Sequence, residues 1–155
     1  MRLSGYGAGL AIALTGTLAA CGQGGTPTPS KPDPAALKLL ADLPAAYANA
    51  DLGNGKAQFS LCRSCHTAIQ GGANMTGPNL YGVFGRAVAS RPDYSYSTAL
   101  KAKGGAWDAA SIDQWIADPK TYAPGTKMSF IGLKDAKDRT DLIAYLKVVS
   151  SGGPQ

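Results

Sequence analysis

The chain has 155 residues, a formal net charge of +5, 45% hydrophobic residues and 16% charged residues. This length suits one ordinary domain, and the composition is that of a globular protein, not of a disordered chain or a multispanning membrane protein. A single His and the absence of Glu exclude a His-rich metal site, a bis-histidine haem and a zincin-type helix. The charge excess is modest and no Lys/Arg run exceeds two residues, which argues against nucleic-acid binding.

The first residues have the layout of an export signal. Arg2 supplies the positive start, and the apolar stretch from Ala8 to Ala20 is shorter than the ~20 residues that span a bilayer. Its end, Leu18-Ala19-Ala20-Cys21, resembles the lipobox of bacterial lipoproteins, in which the chain is cut before the Cys and the Cys is acylated. We therefore expect residues 1–20 to be a signal peptide and Cys21 to be lipidated. The alternative is an ordinary secreted chain with a chance Cys near its cleavage site.

The next segment predicts a tether. Residues 22–34 contain four prolines among glycines and hydroxyl residues, which favours extended polyproline geometry. Residues 35–50 carry four leucines before Pro44, and the pattern leaves open whether they form a short helix packed on the domain or prolong the tether. Residues 21–50 are accordingly assigned to the acylated Cys and the tether.

From residue 51 onward the sequence carries capping residues that predict helices. Asp51 can cap a helix towards Cys65, although Gly53 and Gly55 weaken its first turns. Further caps predict helices over residues 109–117 and from Asp135, and a shorter helix is expected over residues 97–102. The Gly, Asn and Pro content of residues 67–91 indicates loop, and no alternating run long enough for a sheet occurs. The prediction is a small all-α domain over residues 51–150, with three to five helices and long loops, followed by a flexible tail at residues 151–155.

The sharpest motif is Cys62-Arg63-Ser64-Cys65-His66. Two thiols three residues apart share one side of a helical turn, from which they can add to the two vinyl groups of one porphyrin, and the adjacent His can reach its iron. A zinc half-site would need two more ligands, and a thioredoxin-like pair would need a βαβ context. A plain disulfide leaves His66 unexplained. The motif and the export signal together predict one haem c, held by Cys62 and Cys65 and ligated by His66.

The second axial ligand is expected to be a methionine, because no second His exists. Met75 follows His66 by nine residues and would have to double back around the porphyrin. Met128 follows it by 62 residues, far enough to reach the opposite face, and comes after a stiff turn that contains Pro124 and Gly125. Although a lone Met is often core filler, the lack of alternatives favours Met128.

From about residue 51 to residue 150 the chain resembles a class I cytochrome c of the mitochondrial and α-proteobacterial type. Besides the Cys–His motif, the matching pieces are Thr76 to Leu80, Phe84 to Arg86, Tyr94 to Tyr96, Trp107, Pro124 to Met128 and Asp141 to Leu146. The resemblance implies a cytochrome c fold wrapped around one haem. It also implies that the first and last helices pack through Phe59, Leu142 and Tyr145.

The same resemblance implies roles for several haem-contacting residues. The Pro78 carbonyl would accept a hydrogen bond from the ring N–H of His66, which fixes the tautomer and raises the electron density on iron. Arg86, Tyr96 and Trp107 would surround the haem propionates, so that buried carboxylates are not left unpaired. Each of these three residues, taken alone, would be read as a core aromatic or a surface charge.

On the Met128 side, Phe130 would cover the haem edge and Trp115 would lie near the sulfur. Members of the family usually have Tyr at the position of Trp115 and Asn at the position of Leu100. Because Leu cannot donate a hydrogen bond, we expect a thinner polar network beside Met128, with an altered reduction potential and Fe–S bond.

Charges around the haem edge are also sparse compared with the family. Lys120, Lys127 and Lys134 fit its lysine ring, whereas Leu61 and Thr121 stand where lysine is common. Electrostatic steering of partners is therefore expected to be weaker than usual, which a tethered carrier tolerates because its partner is nearby.

The function that the resemblance implies is electron transfer, not enzymatic catalysis. We expect a monomer, lipid-anchored on the periplasmic side of a bacterial membrane, that carries electrons from a quinol–cytochrome c oxidoreductase to a terminal oxidase or a photosynthetic reaction centre. Its redox partners are expected to have acidic docking surfaces. The alternatives are a haem c subunit of a larger oxidase or dehydrogenase complex, and a haem peroxidase or gas sensor. That last class needs an open distal position, and usually a distal acid–base residue.

Overall fold

The computed structural model describes Met1 and residues 33–153. The predicted signal peptide beyond Met1, Cys21 and residues 22–32 of the predicted tether lie outside the described residues. Within the described part there are six α-helices and one 3-10 helix, joined by long loops. They are α1 (Pro34–Leu40), the 3-10 helix (Ala45–Tyr47), α2 (Leu52–Arg63), α3 (Thr98–Lys103), α4 (Ala109–Ala117), α5 (Pro119–Tyr122) and α6 (Ala136–Ser150).

The predicted all-α class is confirmed. The described residues contain no strand, and their only β pairing is an isolated antiparallel bridge between Ala87 and Ala106. The helix count agrees as well, since residues 51–150 contain the five helices α2 to α6, and α1 lies before that domain. In the same residues no helix is both long and apolar enough to cross a membrane.

Side-chain caps fix where the helices begin, as the sequence predicted. Asp51 accepts hydrogen bonds from the backbone N–H groups of Gly53 and Asn54 at 2.9 and 3.0 Å, which starts α2. Asp108 and Ser111 cap each other in a capping box at the start of α4, and Asp135 caps α6. The helix predicted over residues 97–102 is α3, which Ser97 caps.

Helices α2 and α6 cross at close range and form the centre of the fold. At Gly55 the two backbones approach so closely that a Cβ atom there would lie 2.7 Å from the Asp141 carbonyl carbon. One turn further along, the rings of Phe59 and Tyr145 pack with centroids 5.6 Å apart, next to buried Leu142. The predicted packing of the first and last helices of the haem domain is thus observed. Gly55, which weakens α2 as an isolated helix, is what permits the crossing.

A buried carboxylate ties the start of α2 to α6. Asp141 is fully buried, and its two oxygens accept from the Asp51 backbone N–H at 2.9 Å, the Asn54 side-chain amide at 2.9 Å and the Lys137 ammonium at 2.5 Å. A buried charge with this number of donors is satisfied, so the network fixes the relative position of the two helices.

Residues 34–50 pack on the domain, which resolves the question that the sequence left open. Ala36 and Leu40 of α1 are buried against Ala144 and Val148 of α6. Leu142 and Leu146 point from the opposite side of α6 into the central cavity described below. The N-terminal segment therefore covers the back of α6, and an ion pair between Lys147 and Asp42 at 3.3 Å lies along it.

We expect Leu40→Ala to lower the free energy of unfolding by about 2–4 kcal/mol, because Leu40 is 4% exposed and its loss leaves a cavity against α6. Leu37→Ala on the same helix is the control, since Leu37 is 41% exposed and its removal should change stability by less than about 0.5 kcal/mol. Urea unfolding of both variants measures the difference. Equal, small losses would mean that α1 is not docked on α6 in solution.

Candidate functional site

A cavity of about 340 Å³ opens between the end of α2, the loops that follow it, and helices α4 and α6. The ten side chains that the sequence predicted around a haem all line this cavity: Cys62, Cys65, His66, Pro78, Arg86, Tyr96, Trp107, Trp115, Met128 and Phe130. They come from segments spread over 69 positions of the chain, so the fold brings them together. Their roles toward a bound haem remain predictions.

The two thiols lie at the end of α2, on one wall of the cavity. The chain continues for one more turn there, with the backbone N–H groups of Cys65 and His66 both donating to the Cys62 carbonyl at 3.0 and 2.9 Å. Both cysteines are free and partly buried. Burial, with a smaller contribution from Cys65, raises the pKa of the Cys62 thiol to about 11, so it is protonated at neutral pH.

His66 is held with one ring nitrogen directed into the cavity. Its Nδ1 lies 2.8 Å from the Pro78 carbonyl, which can only accept, so Nδ1 carries the proton and Nε2 is left as a ligand. Burial lowers the pKa of His66, opposed by the Pro78 hydrogen bond, which favours the neutral ring that binds metal. A Cβ atom on Gly77 would lie 2.6 Å from Nδ1 of the ring, so this position has to be glycine.

Met128 lies on another wall of the cavity, after a tight turn. The N–H of Thr126 donates to the Ala123 carbonyl at 2.9 Å, Gly125 has a φ of 90°, and the Met128 N–H donates to the Thr126 hydroxyl at 3.2 Å. The other candidate, Met75, is 48% exposed and does not line the cavity. Of the two, only Met128 is placed to supply a sulfur ligand to a group bound in the cavity.

A polar edge of the cavity is formed by Arg86, Tyr96 and Trp107. The Arg86 guanidinium donates to the Tyr81 carbonyl at 2.8 Å, which holds it in place. Burial lowers the pKa of Arg86 from a very high starting value and raises the pKa of Tyr96. A fixed cation beside a phenol and an indole is suited to bind a carboxylate, which is the charge that haem propionates carry.

Leu100 and Trp115 both line the cavity, and the thinner polar network expected beside Met128 remains a prediction. Leu100 is buried, and the Trp115 ring packs against Trp107 and Tyr122 with centroid distances of 5.9 and 5.5 Å. Among the described residues, the Trp115 indole N–H has no hydrogen-bond acceptor. The Trp115 ring contributes bulk and aromatic packing to the cavity wall.

Sequence reasoning missed several residues that line the cavity. These are apolar side chains of the kind that fills any protein core, so no sequence signal separates a haem contact from a core contact: Leu80, Val83, Ile112, Ile116 and Leu146. Tyr94 could have been found, because it belongs to the matched Tyr94-Ser95-Tyr96 segment. Its hydroxyl donates to the Thr76 carbonyl at 2.6 Å and links the two loops beside His66.

The lysines expected around the cavity are partly engaged within the chain. Lys127 donates to the Ser95 carbonyl at 3.1 Å, and Lys134 donates to the Ala117 carbonyl at 2.8 Å and pairs with Asp118 at 3.5 Å. Leu61 lines the cavity and is 53% exposed. Of these contacts, only the pairing of Lys134 with Asp118 offsets a positive charge, and the weak steering of partners expected from the sequence stays a prediction.

The side chains that line the cavity fit haem c better than a zinc half-site, a thioredoxin-like pair or a plain disulfide. Two free thiols, a neutral imidazole with a defined tautomer and a thioether converge on one apolar cavity with a basic edge. The two thiols are the groups that attach haem c covalently, and the imidazole and the thioether are ligands that a haem iron takes.

Comparisons with known proteins agree with this arrangement. The family model described as "Cytochrome c" matches residues 52–150. The chain is 48% identical over 101 residues to a protein named "Cytochrome c" from Gibberella zeae, which covers 64% of the chain and 95% of that protein. It is 46% identical over 107 residues to "Cytochrome c" of Guizotia abyssinica, which covers 66% and 96%. A "Cytochrome c homolog" of Bradyrhizobium diazoefficiens is 43% identical over 102 residues, 65% of the chain and 55% of that protein.

Proposed function

Because the chain belongs to the cytochrome c family, electron-transfer proteins that hold haem c covalently through cysteines, we propose that it is a membrane-tethered electron carrier of the bacterial periplasm. Members of this family pass electrons to redox partner proteins and are carriers, not enzymes. The single observation that supports the carrier role most directly is the placement of His66 and Met128 on one cavity, because an iron held by both side chains would have no free position for a substrate.

In this proposal the residues of the cavity hold the group and exclude water. Haem c, when bound, supplies an iron that changes between Fe(III) and Fe(II). Cys62 and Cys65 would attach it, and His66 and Met128 would ligate its iron. The Pro78 carbonyl keeps the His66 proton on Nδ1, so that Nε2 stays available. The buried apolar wall, with Leu100 among its residues, would lower the dielectric constant around the bound group and so would favour its less charged, reduced form.

For the electron donor we propose a quinol–cytochrome c oxidoreductase, and for the acceptor a terminal oxidase or a photosynthetic reaction centre. The net charge of +5 supports partners with acidic docking surfaces. Because Asp118 offsets the charge of Lys134, and Leu61 and Thr121 stand where lysine is common in the family, we expect steering by long-range charge to be modest. We expect apolar contact at the exposed Leu61 to contribute to docking. Depleting the protein in its host and measuring which respiratory or photosynthetic electron flow stops tests this assignment. Stable capture of the protein with one large complex in detergent would instead favour a fixed subunit.

The proposed anchor is tested by Cys21→Ser. Two or more acyl chains on Cys21 would bind membranes stably, whereas the protein without them has only its basic surface to hold it there. We expect the wild-type protein in the membrane fraction, resistant to high salt, and the Cys21→Ser protein in the soluble periplasmic fraction with unchanged haem absorption. Cell fractionation and mass spectrometry of the mature N-terminus measure both. Salt-resistant membrane association of a Cys21→Ser protein whose N-terminus shows that the signal peptide has been removed would contradict the lipid anchor.

A further inference from the structure

A chain of hydrogen bonds reaches the axial histidine from a loop on the surface, and it begins at Asn74. The side-chain Nδ2 of Asn74 donates to the Asp93 carbonyl at 3.1 Å, and its Oδ1 accepts from the backbone N–H of Asn79 at 2.8 Å. Asn74 therefore joins the loop after His66 to the loop that carries Arg91 and Tyr94. It does not line the cavity, and neither the sequence motif nor the family match assigns it a role.

The N–H that Asn74 holds belongs to the same peptide group as the oxygen that holds His66. The Asn79 nitrogen and the Pro78 carbonyl form one planar unit, so fixing one end orients the other. The Pro78 oxygen accepts from His66 Nδ1 at 2.8 Å. A peptide group that donates through its N–H is also a stronger acceptor at its oxygen, because hydrogen bonds in a chain polarise one another.

We propose that Asn74 is a positioning residue for the axial ligand, which acts on His66 through the Pro78–Asn79 peptide and thereby lowers the reduction potential. A stronger acceptor on Nδ1 makes the imidazole more electron-rich, and an electron-rich ligand stabilises Fe(III). This inference rests on the proposed ligation of a haem iron by His66.

The structure separates this role from general support of the loop. The Asn79 side chain holds the loop shape independently: its Nδ2 donates to the Ile69 and Gly72 carbonyls at 2.9 and 2.6 Å, and its Oδ1 accepts from the Tyr81 N–H at 2.7 Å. Asn79 is 1% exposed, and these three bonds do not involve Asn74. Removing the Asn74 side chain should therefore free one N–H without collapsing the loop.

The test compares Asn74→Ala and Asn74→Asp with Asn54→Ala in the haem-loaded protein. Asn74→Asp keeps an oxygen for the Asn79 N–H and loses the donor to Asp93. Asn54→Ala removes a hydrogen bond to buried Asp141 on the far side of α2, so it weakens the fold without touching the Asn74 chain. The readouts are hydrogen exchange of the Asn79 amide, the NMR resonance of the His66 Nδ1 proton, and the reduction potential.

We expect Asn74→Ala to speed exchange of the Asn79 amide about tenfold, as for loss of one hydrogen bond, to shift the His66 Nδ1 proton and to raise the reduction potential. Asn74→Asp should restore slow exchange and bring the potential back to or below the wild-type value. Asn54→Ala should change neither.

An unchanged potential in Asn74→Ala, or a rise of equal size in Asn54→Ala, would overturn the inference. Unaltered exchange of the Asn79 amide in Asn74→Ala would do so as well. Failure of the proposed function has a different signature, because the wild-type protein itself would then lack the low-spin spectrum of an iron with two axial ligands.

Discussion

Met128→Ala is expected to open one axial position of the haem and to lower the reduction potential by a sizeable part of the ~0.8 V range over which axial ligands set haem potentials. Thioether sulfur is a soft, neutral ligand that stabilises Fe(II), so its loss favours Fe(III). The ferric protein should also lose the weak charge-transfer band at the red end of the visible spectrum that marks a sulfur–iron bond. Optical redox titration of the purified holoprotein measures both changes.

Met75→Ala is the matched control, because Met75 is exposed and does not line the cavity. Its spectrum and potential should equal those of the wild type. If Met128→Ala retained the charge-transfer band, or if Met75→Ala lost it, the axial assignment would be wrong. Because the Thr126 hydroxyl and Met128 N–H remain, the turn that carries residue 128 should persist in the alanine variant.

Gly55→Ala is expected to lower the free energy of unfolding by about 3 kcal/mol. The added methyl group would lie 2.7 Å from both the Asp141 carbonyl carbon and the Tyr145 Cβ. Relieving that overlap separates α2 from α6, which stretches the hydrogen bonds to Asp141 and parts Phe59 from Tyr145. The higher helix propensity of Ala, about 1 kcal/mol, offsets only part of this loss.

Gly53→Ala on the same helix provides the comparison. Gly53 is exposed, and the nearest atom to an added Cβ is the Asp51 side-chain oxygen at 3.1 Å. We expect no loss of stability beyond about 0.5 kcal/mol, and propensity favours a small gain. Thermal and urea unfolding of the two haem-loaded variants give the difference. Similar stabilities for Gly53→Ala and Gly55→Ala would mean that α2 and α6 do not cross at this distance.

The capping pattern made much of the fold predictable from the sequence. Asp51, Asp108 and Asp135 each start a helix where the sequence placed it, because a short acidic side chain can satisfy the first free N–H groups of a helix. The crossing of α2 and α6 was not predictable from local signals. From the local sequence, Gly55 is only a residue that weakens a helix. The close approach of the α6 backbone at Asp141 explains why glycine is needed there.

The candidate site was predictable where its chemistry is carried by rare residues. Because the only His follows Cys62 and Cys65 directly, few interpretations other than haem attachment were open for this motif. Met128 was predicted as the second ligand because few other side chains could ligate the iron. The apolar wall at Ile112 and Leu146 was not predictable as a site, since a haem contact and a core contact select the same side chains. Asn74 was missed because its effect passes through a backbone peptide group.

The packing of residues 34–50 was also beyond the sequence pattern. Seven residues in α1 are too few to establish a period, and only two of them, Ala36 and Leu40, are buried. The family match begins at residue 52, so resemblance gave no information on this segment either. Its apolar partners lie on α6, where Ala144 and Val148 face away from the cavity.

The central claim is a covalently bound haem whose iron is closed on both sides by His66 and Met128. Exposure of the dithionite-reduced wild-type protein to carbon monoxide at neutral pH tests it most directly, because carbon monoxide binds only where the iron has an open position. We expect the optical spectrum of the reduced protein to be unchanged by the gas, as for an electron carrier. Rapid formation of a carbon monoxide complex in the native protein would contradict the account and indicate a site built for a ligand or substrate.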